Sequence, residues 1–172
     1  MDTPFWKNER MPSYPRITQN HSVDVVVVGG GIAGVTTAYL LKRAGLRVAL
    51  LEKGRCGGAE TGFTTAHLSY VTDLRLDTAV KTFGRDGAQA AWAACQAAIE
   101  QIARTVEHEQ IDCDFRLVPG YLHASLHGAR DETARLQSEA QLARELGFEA
   151  DFLERAPVVR RRLSARRRAT AR

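Results

Sequence analysis

Asp24-Val25-Val26-Val27-Val28-Gly29-Gly30-Gly31-Ile32-Ala33-Gly34 is the stretch on which the fold turns. The run Asp24 to Val28 is short, β-branched and apolar, and it ends in glycine. Such a run suits a strand buried on both faces of a parallel sheet. Residues 32–44, IAGVTTAYLLKRA, predict a helix that Gly45 stops as a C-cap. Arg47 to Glu52, RVALLE, predicts a second strand. Strand, tight turn, helix and strand in this order form a βαβ unit, so the expected fold class is α/β.

The glycine spacing is Gly-x-Gly-x-x-Gly, at Gly29, Gly31 and Gly34. Gly29 permits the tight turn out of the strand. Gly31 has no side chain, so a pyrophosphate can approach the backbone, and Gly34 lets the helix pack close to the strand. The helix start, at Ile32 and Ala33, offers unpaired N–H groups and a positive dipole end to phosphates. Glu52 ends the second strand 18 residues past Gly34, where a carboxylate accepts hydrogen bonds from ribose hydroxyls. An acid there repels a 2′-phosphate, which favours FAD or NAD over NADP. Gly30 is the variable position of the motif, so alanine is expected to be milder there than valine at Gly31. The expected architecture is a Rossmann-like dinucleotide-binding unit.

Outward from this unit, residues 1–22 are polar, broken by Pro4, Pro12 and Pro15, and read as an arm. Residues 54–66 are rich in Gly and Thr and predict a loop. A helix is predicted over about 86–109, because Ala88, Trp92, Cys95, Ile99, Ile102 and Val106 recur at spacings of 4 and 3 and share one core-facing stripe. Ile111, Cys113, Phe115 and Leu117 alternate with Asp112, Asp114, Arg116 and Val118, a period of two. With the Pro119-Gly120 turn pair and Tyr121 to Leu126, this predicts a β-hairpin. A helix over about 130–146 ends at Gly147, and Phe148 to Leu153 predicts one more strand.

The chain carries 24 Lys and Arg against 20 Asp and Glu, a net charge of +4. Eight of the arginines lie in residues 155–172, which hold no acid, so residues 1–154 carry 16 basic and 20 acidic side chains. The globular part is mildly acidic, and residues 158–172 read as a basic, low-complexity tail. A nucleic-acid partner is therefore not the expectation. The three cysteines, Cys56, Cys95 and Cys113, are too widely spaced for a zinc site and odd in number, so they are expected as reduced, mostly buried thiols. No stretch of 18 apolar residues and no secretory h-region is present, which makes the cytoplasm the expected compartment. No metal site is expected.

The run Val26 to Glu52, continued by Lys53-Gly54 and by Gly57-Gly58-Ala59-Glu60-Thr61-Gly62-Phe63-Thr64-Thr65-Ala66-His67, resembles the start of the D-amino-acid oxidase and glycine oxidase superfamily of FAD enzymes. The Thr-Gly-x-Thr-Thr-Ala-His form is similar to the branch whose full-length members end in a Rieske iron–sulfur domain. Ile111-Asp112-Cys113-Asp114-Phe115-Arg116, Pro119-Gly120-Tyr121-Leu122 and the arm with Trp6 and Tyr14-Pro15 resemble that branch too. The resemblance covers about residues 1–157. It implies that residues 23–157 are the N-terminal part of an FAD-binding domain. Ile32 and Ala33 would face the pyrophosphate and Glu52 the adenosine ribose, with Lys53 beside it. Thr61, Thr65, Ala66 and His67 would lie along the FAD. His67 is either flavin-proximal or a loop histidine bonded to backbone.

The resemblance implies an amine or amino-acid oxidase as the activity, with FAD as cofactor. A [2Fe-2S] cluster is expected only in the C-terminal domain of full-length relatives, because no Cys-x-His and Cys-x-x-His pair occurs here. No catalytic residue, substrate or electron acceptor is readable. The arginine-rich tail stands where the family's continuation is expected, so the chain reads as an incomplete FAD-binding domain. On its own it is expected to bind FAD weakly, if at all, and to show no amine-dependent flavin reduction. A non-catalytic dinucleotide-binding fragment and a basic-tail interaction protein are the alternatives. Yellow colour retained on purification separates the first two readings from the third, and turnover separates the first from the second.

Overall fold

The computed structural model describes residues 12–124 and 132–155. The chain divides into two compact units, Met1–His67 and Leu68–Arg172. The predictions for Trp6, for the second half of the hairpin at residues 125 and 126, and for the tail at 158–172 lie outside the described residues.

In the first unit, β1 (Val25–Val28) and β2 (Val48–Leu51) pair in parallel, with Val25 opposite Val48 and Val28 opposite Leu51. Helix α1 (Ile32–Arg43) joins them and packs on both strands. Its stop is as predicted: Gly45 takes φ +87°, and the N–H groups of Gly45 and Leu46 bond back to the carbonyls of Lys42 and Leu41. Asp24 and Arg47, just ahead of the two strands, pair at 2.8 Å and hold the strand starts in register. Residues 12–22 of the arm are all exposed.

Burial of β1 on both faces is not what the fold delivers. Val26 is 53% and Val28 82% exposed, whereas Val25 and Val27 are half-buried. Side chains alternate along a strand, and α1 covers one face of a sheet that has two strands among the described residues. The loop predicted over 54–66 carries a short 3-10 helix, Glu60–Phe63.

The second unit is helical. Helix α2 (Leu76–His108) starts ten residues earlier than its apolar stripe suggests, and it is interrupted at Gly84, whose φ of 75° and ψ of 168° are not helical. Helix α3 (Glu132–Glu145) ends in a turn at Gly147, as expected. Leu76, Ala79, Ala88, Trp92, Ala143, Leu146 and Phe148 form the buried core. Tyr70, Trp92 and Phe148 meet with ring centroids 5.3–6.1 Å apart, the spacing of favourable aromatic contacts. Of the predicted stripe, Ala88 and Trp92 are buried, Cys95, Ile99 and Val106 are half-buried, and Ile102 is exposed.

Three expectations are corrected in the described residues. Residues 111–124 hold no strand. Asp114 adopts φ 53°, which breaks the extended run, and Leu117 and Val118 stay 76% and 72% exposed with no partner strand to cover them. Phe148 to Leu153 is not a strand, because Phe148 turns into the aromatic core and Arg144 binds the carbonyl of Ala150. The cysteines are not buried: Cys56 and Cys95 are half-buried and Cys113 is exposed. No helix among the described residues is long and apolar enough to cross a membrane.

Candidate functional site

The glycine turn and Glu52 are built as one structure. The backbone leaves β1 through Gly29, whose φ of +107° disfavours any residue with a side chain. Gly29 N–H still bonds to the carbonyl of Leu51 at 2.8 Å, so the turn begins at the end of the parallel ladder. Gly34 sits in the first turn of α1, directly against β1, where an added Cβ would overlap the carbonyl oxygen of Gly29. These two glycines are demanded by the fold itself.

Gly31 is different. Its φ of −81° and ψ of −175° are open to any residue, and an added Cβ would meet only Thr61 Oγ1, at an ordinary 3.5 Å. Among the described residues only Thr61 Oγ1 comes within 4 Å of a side chain added at Gly31. No side chain of Gly31 can cap α1, and Ile32 N–H bonds instead to Thr61 Oγ1 at 3.2 Å. Helix starts leave their first N–H groups without intrahelical partners. Ala33 lies exposed in that first turn.

Glu52 follows β2 and reaches back to the turn. Its Oε2 accepts the N–H of Gly30 at 2.7 Å, and its Oε1 accepts the N–H of Gly54 at 2.8 Å. These donors, Gly30 first and then Gly54, together with the Lys53 ammonium, hold the Glu52 carboxyl below its ordinary range. It is therefore ionised at neutral pH. A carboxylate offers about four acceptor sites, so Glu52 can also take hydroxyl donors. Lys53 is exposed beside it.

The sequence reading missed Cys56. Its Sγ would lie 2.7 Å from a Cβ on Gly30, with Cys56 Cα and Glu52 Cβ each at 3.1 Å, and Gly57 N–H bonds to the Gly30 carbonyl at 2.8 Å. Gly30 is buried between these groups, and the Gly57-Gly58 pair was the available signal that the chain folds back here. An alanine at Gly30 would therefore crowd Cys56, whose Sγ and Cα must both shift to admit it. Gly30→Ala should cost about 1–3 kcal/mol, the usual range for overpacking. Urea unfolding checks this, and a variant as stable as the parent would show that the Cys56 loop yields freely.

The structure brings Gly29, Gly31, Ile32, Ala33, Gly34, Glu52 and Thr61 together. Thr65, Ala66 and His67 are exposed on the segment that follows the 3-10 helix. Ala66 takes φ 55°, and its N–H bonds to Thr64 Oγ1 at 3.2 Å. No hydrogen bond among the described residues ties Thr65 or His67 to the glycine turn.

Residues 24–170 match the family of FAD dependent oxidoreductases. YhfW of Bacillus subtilis, named as a Rieske 2Fe-2S iron–sulfur protein, is 32% identical over 155 residues, which are 90% of this chain and 30% of that protein. The gamma-glutamylputrescine oxidoreductase of Escherichia coli is 33% identical over 127 residues, 73% of this chain and 29% of that protein. A D-amino acid dehydrogenase of Methylobacterium radiotolerans is 50% identical over 42 residues, 24% of this chain and 10% of that protein. No solved structure matches. The chain thus spans about three-tenths of the length of the first two relatives. With the family match covering most of its residues and amine- and amino-acid-oxidising enzymes among its relatives, this chain belongs to the FAD dependent oxidoreductases.

Proposed function

We propose that residues 24–67 hold the adenosine and pyrophosphate half of FAD in a Rossmann-like site. The observation that carries this reading is the pairing of a vacant space over Gly31 with an ionised Glu52 bonded to the same turn. The pyrophosphate would lie over Gly31 against the N–H groups of Ile32, Ala33 and Gly34, where the helix dipole favours negative charge. Glu52 would accept the ribose hydroxyls, with Lys53 alongside. Thr65, Ala66 and His67 would continue along the cofactor towards the flavin.

When bound, FAD supplies hydride or electron transfer, and the protein supplies orientation and exclusion of water. The substrate class proposed is an amine or amino acid, by analogy with the relatives. The Rieske domain named in YhfW is proposed for a longer form, where it would pass electrons onward. Within this chain, the proposed task is cofactor binding.

Binding of FAD and of NADP to the purified chain, followed by calorimetry, tests the reading. FAD should bind more tightly, because the ionised Glu52 repels a phosphate on the ribose and loses the hydroxyl it would bind. Tighter binding of NADP would overturn the assignment of Glu52. A chain that binds neither FAD nor ADP would overturn the site.

A further inference from the structure

Thr61 Oγ1 accepts the N–H of Ile32 at 3.2 Å, and it is also the nearest atom to the open space over Gly31. A phosphate oxygen bonded to that N–H would need the same position, since hydrogen-bond geometry confines an acceptor to a narrow range around the donor. The hydroxyl and the phosphate therefore cannot both occupy it. A threonine hydroxyl accepts and donates, so it has another role open once displaced. Thr61 lies in the 3-10 helix Glu60–Phe63, which runs directly into Thr64–His67.

We propose that Thr61 is a positioning residue that exchanges roles when pyrophosphate arrives. In the unliganded chain its oxygen accepts from Ile32 N–H. On binding, phosphate takes that N–H, and the Thr61 hydroxyl turns to donate its own proton to the phosphate. No covalent bond changes. The exchange couples phosphate occupancy to the conformation of residues 60–67, and so links the start of α1 to the segment carrying Thr65 and His67. The proposal rests on the dinucleotide reading above and adds a conformational step to it.

The test is amide hydrogen exchange across residues 60–67 with ADP, which carries the ribose and pyrophosphate, and with adenosine, which lacks the phosphates. ADP at saturation should slow exchange in 60–67 and adenosine should not. Thr61→Val keeps the shape and removes the hydroxyl. It should bind ADP about tenfold more weakly, the factor expected for one hydrogen bond to a charged group. Even at saturation it should lose the slowing in 60–67, and Thr61→Ser should restore both. Adenosine slowing 60–67 as strongly as ADP would overturn the coupling. So would Thr61→Val retaining the ADP effect, or Thr61→Ser failing to restore it. Absence of ADP binding by the parent chain would overturn the site as a whole, an outcome distinct from binding without coupling.

Discussion

Gly31→Val should leave the chain folded and remove its affinity for FAD. The extended backbone at Gly31 accommodates a β-branched residue, and the first added carbon meets only the end of the Thr61 side chain. Valine is a poorer N-cap than glycine, which sets the stability cost at about 1 kcal/mol. The effect on binding is much larger. Methyl groups over Gly31 occupy the space proposed for the pyrophosphate and hold it away from the N–H groups of α1. Losing two hydrogen bonds to a charged group, about 1.5–3 kcal/mol each, weakens binding roughly a hundredfold or more. Circular dichroism and flavin titration on the same preparation read both halves. A Gly31→Val chain that folds and binds FAD like the parent would place the pyrophosphate elsewhere. Gly30→Ala offers the contrast: Gly30 is enclosed by the protein's own groups, whereas the space over Gly31 is the one proposed for the ligand.

Glu139→Leu should cost the helical unit about 3 kcal/mol. Glu139 is 7% exposed, pairs with Arg75 and accepts the N–H of Leu76 at 2.7 Å. A carboxylate from α3 thereby caps the start of α2, for which no side chain at Arg75 itself serves. Removing it leaves a largely buried guanidinium unpaired and a helix-terminal N–H without its acceptor. Breaking one side of a buried ion pair is costly for this reason, whereas replacing both sides with apolar groups is often neutral. The double variant Arg75→Met/Glu139→Leu should therefore recover most of the loss. Urea unfolding followed by tryptophan fluorescence checks both. A single variant as stable as the parent would show that water reaches Arg75 freely. Two further ion pairs between these helices, Arg135 with Asp77 at 3.0 Å and Arg85 with Glu145 at 3.2 Å, are more exposed and should contribute less.

The dinucleotide unit was legible because its signals are local. A valine run, three glycines at fixed spacing, a helical stripe ended by Gly45 and an acid after the second strand each act within a few residues of themselves. That set the order of β1, α1 and β2, the glycine turn and Glu52 without reference to the rest of the chain. The residues after His67 carry weaker local signals. Residues 111–118 alternate like a strand, yet a strand also needs a partner to bond and cover it, and Asp114 turns the backbone away. Helix α2 begins at Leu76 because Glu139, 63 residues later, supplies its cap. Cys56 behind Gly30 is likewise a tertiary fact, since spacing does not reveal which side chain backs a turn. The sequence alone determined the βαβ order, the glycine turn between β1 and α1, and the acid that follows β2. Only the tertiary structure decided which glycines the fold itself requires, where the second unit caps its helix, and which face of β1 is left open, because each depends on groups brought together from distant parts of the chain.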